Sequence, residues 1–167
     1  MKRIITTNPT NIYALIARLT LGIVVFPHGA QKLLGWFGGN GFEATMTSLT
    51  TKMELPWIIA FLVILIESIG SLLLIMGLIT RVASLGILVN FIGVVLTTQM
   101  HNGFFMNWSK VADKGEGLEY FILLFGLAII TLIAGGGKGS ADAIITKAMI
   151  KSNQVKEFQN LQNSNKK

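Results

Sequence analysis

The chain has 167 residues, of which 51% are hydrophobic and only 13% are charged, with a formal net charge of +6. A soluble domain carries about 25% charged residues, so this composition and a mean hydropathy of +0.61 indicate an integral membrane protein. The absence of cysteine excludes disulfides and thiolate catalysis, and the confinement of the aromatic residues to apolar segments argues against nucleic-acid binding.

Four apolar segments predict transmembrane helices, each of which needs about 20 apolar residues. The first begins after an Asn-Pro-Thr breaker, the fourth ends at a triple glycine, and the segments cover about residues 12–34, 56–77, 82–100 and 118–134. We therefore predict an all-α fold. Its four-helix transmembrane bundle and a short C-terminal helix form a single domain over residues 1–151.

Lysine and arginine are unevenly distributed between the two sides of such a bundle. Both termini, the turn near Arg81 and residues 138–151 share one side and carry most of the basic residues, whereas the loops 35–55 and 101–117 carry few. Because basic residues are enriched in cytoplasmic loops, we predict that both termini are cytoplasmic.

The predicted spans contain polar residues, which are costly inside a bilayer and usually face the interior of a bundle. Arg18, Glu67 and Asn90 each lie on a helical face of small residues, and such faces let helices approach closely. On the fourth span the corresponding face contains Glu119, Leu123, Gly126 and Ile130. We expect these faces to pack against one another.

Arg18 and Glu67 stand at compatible depths in their predicted helices. At a rise of about 1.5 Å per residue, Arg18 lies about 9 Å and Glu67 about 15 Å from the inner ends of their helices. We therefore predict a buried Arg18–Glu67 ion pair, which either ties the first two helices together or forms the charged base of a pocket. Asn90 lies at a similar depth and is a candidate partner for either charge.

A second polar cluster is predicted at the outer mouth of the bundle. His28 and Lys32 lie in the outer third of the first helix, while His101 begins the second outer loop and Glu119 opens the fourth helix. We predict that these side chains line a ligand-binding vestibule, with Asn90 as a further ligand-binding residue. The alternative for His28 is a structural imidazole held by a hydrogen bond.

The outer histidines are also candidate ligands for a haem or a metal ion. The imidazoles of His28 and His101 suit a b-type haem, and the thioether of the neighbouring Met100 suits Cu(I). The competing interpretation is that the methionines near the outer loops only pack against their neighbours.

The segment after the fourth span has only a superficial likeness to a phosphate-binding loop. Lys138 is followed by Gly139 rather than by Ser or Thr, and no strand precedes it. We instead predict that the glycines end the fourth helix and that Ser140 caps an interfacial amphipathic helix over about 141–151. Residues 152–167, rich in Asn, Gln and Lys, are predicted to form a polar, disordered tail.

Together these features resemble the DoxX family of small four-helix membrane proteins over nearly the whole of residues 12–142. The resemblance rests on Arg18, HGAQKLLGWFGG at 28–39, Glu67, His101-Asn102-Gly103-Phe104-Phe105, Glu119 and GGGKGSAD at 135–142. The last segment departs from the Arg-Tyr-Ser-Leu-Asp-like ending that is common in the family. Since the family includes subunits of thiosulfate:quinone oxidoreductase, the resemblance implies quinone-linked redox chemistry in a bacterial cytoplasmic (inner) membrane.

Two functions are compatible with these residues and this resemblance. In the first, the outer vestibule binds a quinone or a small phenol, and the chain acts alone or with an oxidoreductase partner subunit. In the second, the polar cluster holds together a non-enzymatic assembly or carrier protein, for which copper and haem are candidate ligands. A homo-oligomer is compatible with either function. A cavity wide enough for an aromatic ring would favour the first function, and a tightly packed polar cluster would favour the second.

Overall fold

The structure, a computed structural model, describes residues 5–108 and 117–164 of the chain. All regular structure in these two ranges is helical, which confirms the predicted fold class. The helices are α1 (Ile12–Leu34), α2 (Gly41–Thr47), α3 (Trp57–Met76), α4 (Thr80–Gln99), α5 (Glu119–Ala134) and α6 (Ala141–Ser164).

Helices α1, α3 and α4 are each long and apolar enough to cross a membrane, with 23, 20 and 20 residues. Helix α5 is also apolar but has only 16 residues. The bounds of these helices agree with the predicted segments to within two residues, because long apolar runs between breakers are a strong local signal.

The ends of α1 follow from short-range interactions. The side chain of Asn11 accepts a hydrogen bond from Ala14 N (3.1 Å) and caps the first turn. At the other end, Gly35 has a φ of 73°, in the left-handed region that glycine adopts without steric cost. Pro27 lies inside this helix, where it removes one backbone hydrogen bond.

Helices α1, α3, α4 and α5 pack together in alternating directions. We call the end where α1 and α4 begin the terminal end, and the opposite end, where α3 and α5 begin, the loop end. Helix α2 packs on α1 and α3 at the loop end. All four packed helices contribute to the core, which contains Leu21, Val25, Leu74, Ala83, Ile87, Phe91, Phe121, Leu124 and Ala128.

Two glycines let α1 and α3 approach closely. A Cβ atom at Gly22 would lie 2.9 Å from Ile75 Cγ1 and 3.1 Å from Ser71 O, and one at Gly29 would overlap the backbone of Glu67. Only glycine leaves room for the neighbouring backbone at such a contact. The predicted face of small residues on α1 is therefore confirmed as the face that packs on α3.

The predicted packing face of α5 is wrong. Leu123 has 72% of its surface exposed, and Gly126 and Ile130 are exposed as well. The buried face instead contains Phe121, Leu124, Ala128 and Thr131. Because α5 is apolar around its whole circumference, its periodicity does not distinguish a lipid-facing side from a packed side.

Helix α6 is joined to the terminal end by polar contacts. Asp142 accepts hydrogen bonds from the backbone N–H groups of Ile79 and Thr80, both at 2.9 Å. Ser140 Oγ accepts a hydrogen bond from Ala143 N at 3.0 Å, which confirms the predicted cap. The start of α6 therefore satisfies the free N–H groups at the start of α4.

Helix α6 is longer than predicted. It continues to Ser164 rather than ending near residue 151, so the part of the predicted tail within 152–164 is helical. This part contains no glycine or proline, and its Gln, Lys, Glu and Leu residues are compatible with a helix despite their polarity. The remaining predicted tail, residues 165–167, lies outside the described residues.

Candidate functional site

Glu67 lies in the middle of α3, with 1% of its surface exposed. Around it α3 widens into a π-helical segment, Ile66–Gly70, a distortion that is frequent at functional sites. Two nearby serines support the wider turn: the hydroxyl of Ser71 donates to Glu67 O (2.6 Å), and that of Ser68 donates to Gly29 O in α1 (3.0 Å). The Ser68 hydrogen bond also joins this segment of α3 to α1.

Both oxygens of the Glu67 carboxylate have partners on other helices. Lys32 Nζ of α1 donates to Oε2 in an ion pair, and Asn90 Nδ2 of α4 donates to Oε1 at 2.9 Å. We call Lys32, Glu67 and Asn90 the polar triad. The side chain of Lys32 is 29% exposed, whereas Glu67 and Asn90 are buried.

The predicted ion pair between Arg18 and Glu67 is wrong. Arg18 is buried at the terminal end, where Nη1 donates to the carbonyls of Leu74 and Ile75, at 2.6 Å each, and Nε donates to Gly136 O at 3.0 Å. The last carbonyls of a helix lack partners within that helix, and the guanidinium satisfies those of α3. Glu67 lies seven residues from Leu74 along α3, a separation of about 10 Å along the axis.

The polar triad lines part of a cavity of about 460 Å³ between α3 and α4, which we call the triad cavity. Its remaining walls are mainly aliphatic and include Leu55, Ile59, Leu62, Val63, Val89 and Val94. The volume lies within the range of about 300–1,000 Å³ that is typical of small-molecule sites. A few convergent polar groups in an apolar cavity suit a ligand with an apolar body and one or two polar atoms.

The outer vestibule predicted from His28, Lys32, His101 and Glu119 is not assembled as expected. Lys32 turns to Glu67 instead, while Glu119 Oε1 accepts hydrogen bonds from Met106 N (3.0 Å) and Trp108 Nε1 (3.2 Å). His101 lies exposed in the turn after α4. Glu119 thus has a structural role in the loop before α5, because the free amides of that loop need an acceptor.

His28 is the predicted vestibule residue that remains near the triad. Its imidazole is within electrostatic range of Lys32 and Glu67, but it is exposed and does not line the triad cavity. Its role as a ligand-binding residue stays a prediction.

The metal-binding interpretation receives no geometric support. Within residues 5–108 and 117–164, no three side chains of His, Cys, Asp or Glu are close enough to hold a metal ion together. Met100 and His101 are both exposed near the end of α4. Haem or copper binding by His28, His101 and Met100 therefore stays a prediction from the sequence.

Tyr120 is a polar residue near the polar triad that the sequence did not single out. Its hydroxyl is buried, has no hydrogen-bond partner among the described residues, and lies within electrostatic range of Glu67. An unpaired buried hydroxyl is unusual, because losing water without gaining a partner costs about 1–3 kcal/mol. The sequence feature that could have indicated Tyr120 is its position directly after Glu119, at the start of the same helix.

Comparison with known proteins gives two matches. The family model described as DoxX matches residues 13–100, which include the whole polar triad. A protein of Bacillus subtilis (strain 168) named "Putative oxidoreductase CatD" is 30% identical over 96 residues. That alignment covers 58% of this chain and 66% of the relative, slightly less than two thirds of its length. No solved structure gives a significant match.

Proposed function

Because this chain belongs to the DoxX family of membrane proteins, we propose that it binds the ring of a quinone or a small phenol in the triad cavity and takes part in quinone-linked redox chemistry. The observation that carries this proposal is an aliphatic cavity that reaches a buried lysine–carboxylate–amide cluster. The similarity to a relative whose name includes oxidoreductase also supports a redox role.

The polar triad offers the contacts that an oxygen-bearing ring needs. Lys32 Nζ and Asn90 Nδ2 are donors for a quinone carbonyl, and the Glu67 carboxylate is an acceptor for a phenol hydroxyl. Reduction of a quinone adds two protons as well as two electrons. In this proposal the triad holds the ring oxygens and exchanges protons with them, while an oxidoreductase partner subunit supplies the electrons.

The proposal includes a four-span topology in a bacterial cytoplasmic membrane, with both termini in the cytoplasm. The 16 residues of α5 extend over about 24 Å, somewhat less than the roughly 30 Å of a hydrocarbon core. Helix α5 nevertheless packs on α1 and α4 and exposes apolar side chains such as Leu123 and Ile133 on its other side. The basic residues of the terminal end support a cytoplasmic location.

A binding experiment with matched carboxylate variants tests the proposed function. The protein in lipid nanodiscs is titrated with a tail-less dimethoxy-methyl-benzoquinone and with catechol, and binding is measured by calorimetry. Asn90→Leu should weaken binding of the quinone about two- to tenfold, because a neutral hydrogen bond contributes about 0.5–1.5 kcal/mol. Glu67→Gln should weaken binding of catechol about tenfold or more, because a hydrogen bond to a charged acceptor contributes about 1.5–3 kcal/mol. Glu119→Gln is the control and should bind normally, because Glu119 is bonded within its loop.

The two outcomes of this titration separate the proposal from its main alternative. If the wild-type protein binds neither compound, or if Glu67→Gln binds catechol like the wild type, the proposed ligand site is refuted. The alternative is a non-enzymatic assembly or carrier protein, and it is favoured by the fact that both Glu67 oxygens are already satisfied by Lys32 and Asn90. In that case Asn90→Leu and Glu67→Gln would lower the free energy of unfolding and would have no effect on ligand binding.

A further inference from the structure

Building on the proposed function, we infer that the ligand of the triad cavity is dissolved in the membrane and carries a hydrocarbon tail. In this inference the ring passes sideways from the bilayer between α3 and α4. The tail remains in a groove, which is the part of the triad cavity beside Gly93. The ligand class is therefore a long-tailed quinone or quinol rather than a water-soluble phenol.

The depth of the polar triad is the first reason. Glu67 lies ten residues beyond Trp57, the first residue of α3, which corresponds to about 15 Å along the helix axis. This distance is about half of a hydrocarbon core of roughly 30 Å. A molecule dissolved in the hydrocarbon region reaches this depth without leaving it, whereas a water-soluble molecule must first leave water.

The exposed walls of the triad cavity are the second reason. Ile59 and Leu62 on α3 and Val89 on α4 line the cavity and are also exposed on the outside of the bundle, Val89 by 59%. At the loop end the lining is apolar as well and contains Leu49 and Met53. The side that faces lipid thus offers continuous apolar surface from the exterior to the triad.

Gly93 provides open space on α4 in the wall of this cavity. No atom lies within 4 Å of the position that its Cβ would occupy. One turn farther along α4, the hydroxyls of Thr97 and Thr98 donate to the carbonyls of Gly93 and Val94, at 2.9 and 2.8 Å. With their hydrogen-bond donors used within the helix, these threonines leave the groove suited to a hydrocarbon chain.

A pair of glycine variants tests this inference. Gly126 in α5 also has no atom within 4 Å of a Cβ position, but it is absent from the lining of the triad cavity. Gly93→Leu is therefore compared with Gly126→Leu in nanodiscs, with decylubiquinone and the tail-less ring as probes and affinities expressed per mole of lipid. We expect Gly93→Leu to weaken decylubiquinone binding at least tenfold and tail-less ring binding less than threefold, with no change in Gly126→Leu.

A second pair of variants covers the case in which Gly93→Leu does not fold. Val89→Trp places a bulky side chain at the lipid-exposed edge of the cavity, and Val82→Trp places one at an exposed position outside its lining. We expect Val89→Trp alone to weaken decylubiquinone binding at least fivefold.

The outcomes distinguish this inference from the function on which it rests. Equal affinity of the wild type for both probes, or equal losses for both probes in Gly93→Leu, would overturn the lateral path while the ring site survives. A wild-type protein that binds neither probe would overturn the proposed function as well. If Gly93→Leu instead converts a dimer to a monomer on size-exclusion chromatography, the groove is a contact between copies of the chain and the inference is wrong.

Discussion

Replacing Lys32 by methionine should destabilise the protein by about 3 kcal/mol. Methionine keeps much of the apolar stem, so the main effect is to leave the buried Glu67 carboxylate without its cation. Removing one partner of a buried ion pair typically costs about 3–5 kcal/mol. The lower end applies to this pair because the Lys32 side chain is 29% exposed, and water already screens part of the interaction.

The coupling between Lys32 and Glu67 is the sharper measurement. Glu67→Leu should also cost about 3 kcal/mol, because it leaves Lys32 unpaired and removes the acceptor of Asn90, a bond worth about 1 kcal/mol in a membrane. The double variant Lys32→Met with Glu67→Leu leaves no unpaired charge. It should therefore lose about 4 kcal/mol or less, which is a coupling energy of about 2 kcal/mol.

The same cycle with Arg18 serves as the control. Arg18→Met and Glu67→Leu should be additive to within about 0.5 kcal/mol, since Arg18 binds carbonyls at the terminal end and shares no partner with Glu67. The free energy of unfolding is measured by titration with sodium dodecyl sulfate in mixed micelles. Strong coupling between Arg18 and Glu67, with none between Lys32 and Glu67, would refute the pairing of Lys32 with Glu67.

Four further variants test other contacts in the bundle. Gly29→Ala should lower the unfolding free energy by about 2 kcal/mol or more, because its Cβ would overlap the Glu67 backbone. Its control, Gly126→Ala, should be neutral or stabilising by up to about 1 kcal/mol. Equal unfolding free energies for the two variants would contradict the close contact of α1 and α3. Asp142→Ala should cost about 1–2 kcal/mol through loss of the cap on α4, and faster hydrogen exchange should appear in the first turn of that helix. Tyr120→Phe removes a buried hydroxyl that has no partner among the described residues and should raise the unfolding free energy by about 1 kcal/mol. A lower unfolding free energy would reveal a partner for that hydroxyl.

The sequence by itself determined the helical class, the bounds of the apolar helices and the face of α1 that packs on α3. These properties depend on short-range signals: apolar runs, the Asn-Pro-Thr breaker before α1, and small residues such as Gly22 and Gly29 at helical spacing. It also identified Lys32, Glu67 and Asn90 as polar residues to be explained, because ionisable and amide groups are rare in apolar spans.

Only the tertiary structure decided which of these groups meet. Spacing along a helix gives a depth for each residue. It does not give the rotation of α5 about its own axis or the shift of α1 relative to α3 along the bundle axis. Depth alone favoured Arg18 as the partner of Glu67. In the structure Lys32 takes that place, because Arg18 binds the free carbonyls of Leu74 and Ile75 instead. The triad cavity likewise has no local signature, since its aliphatic walls come from helices that become neighbours only when the chain packs.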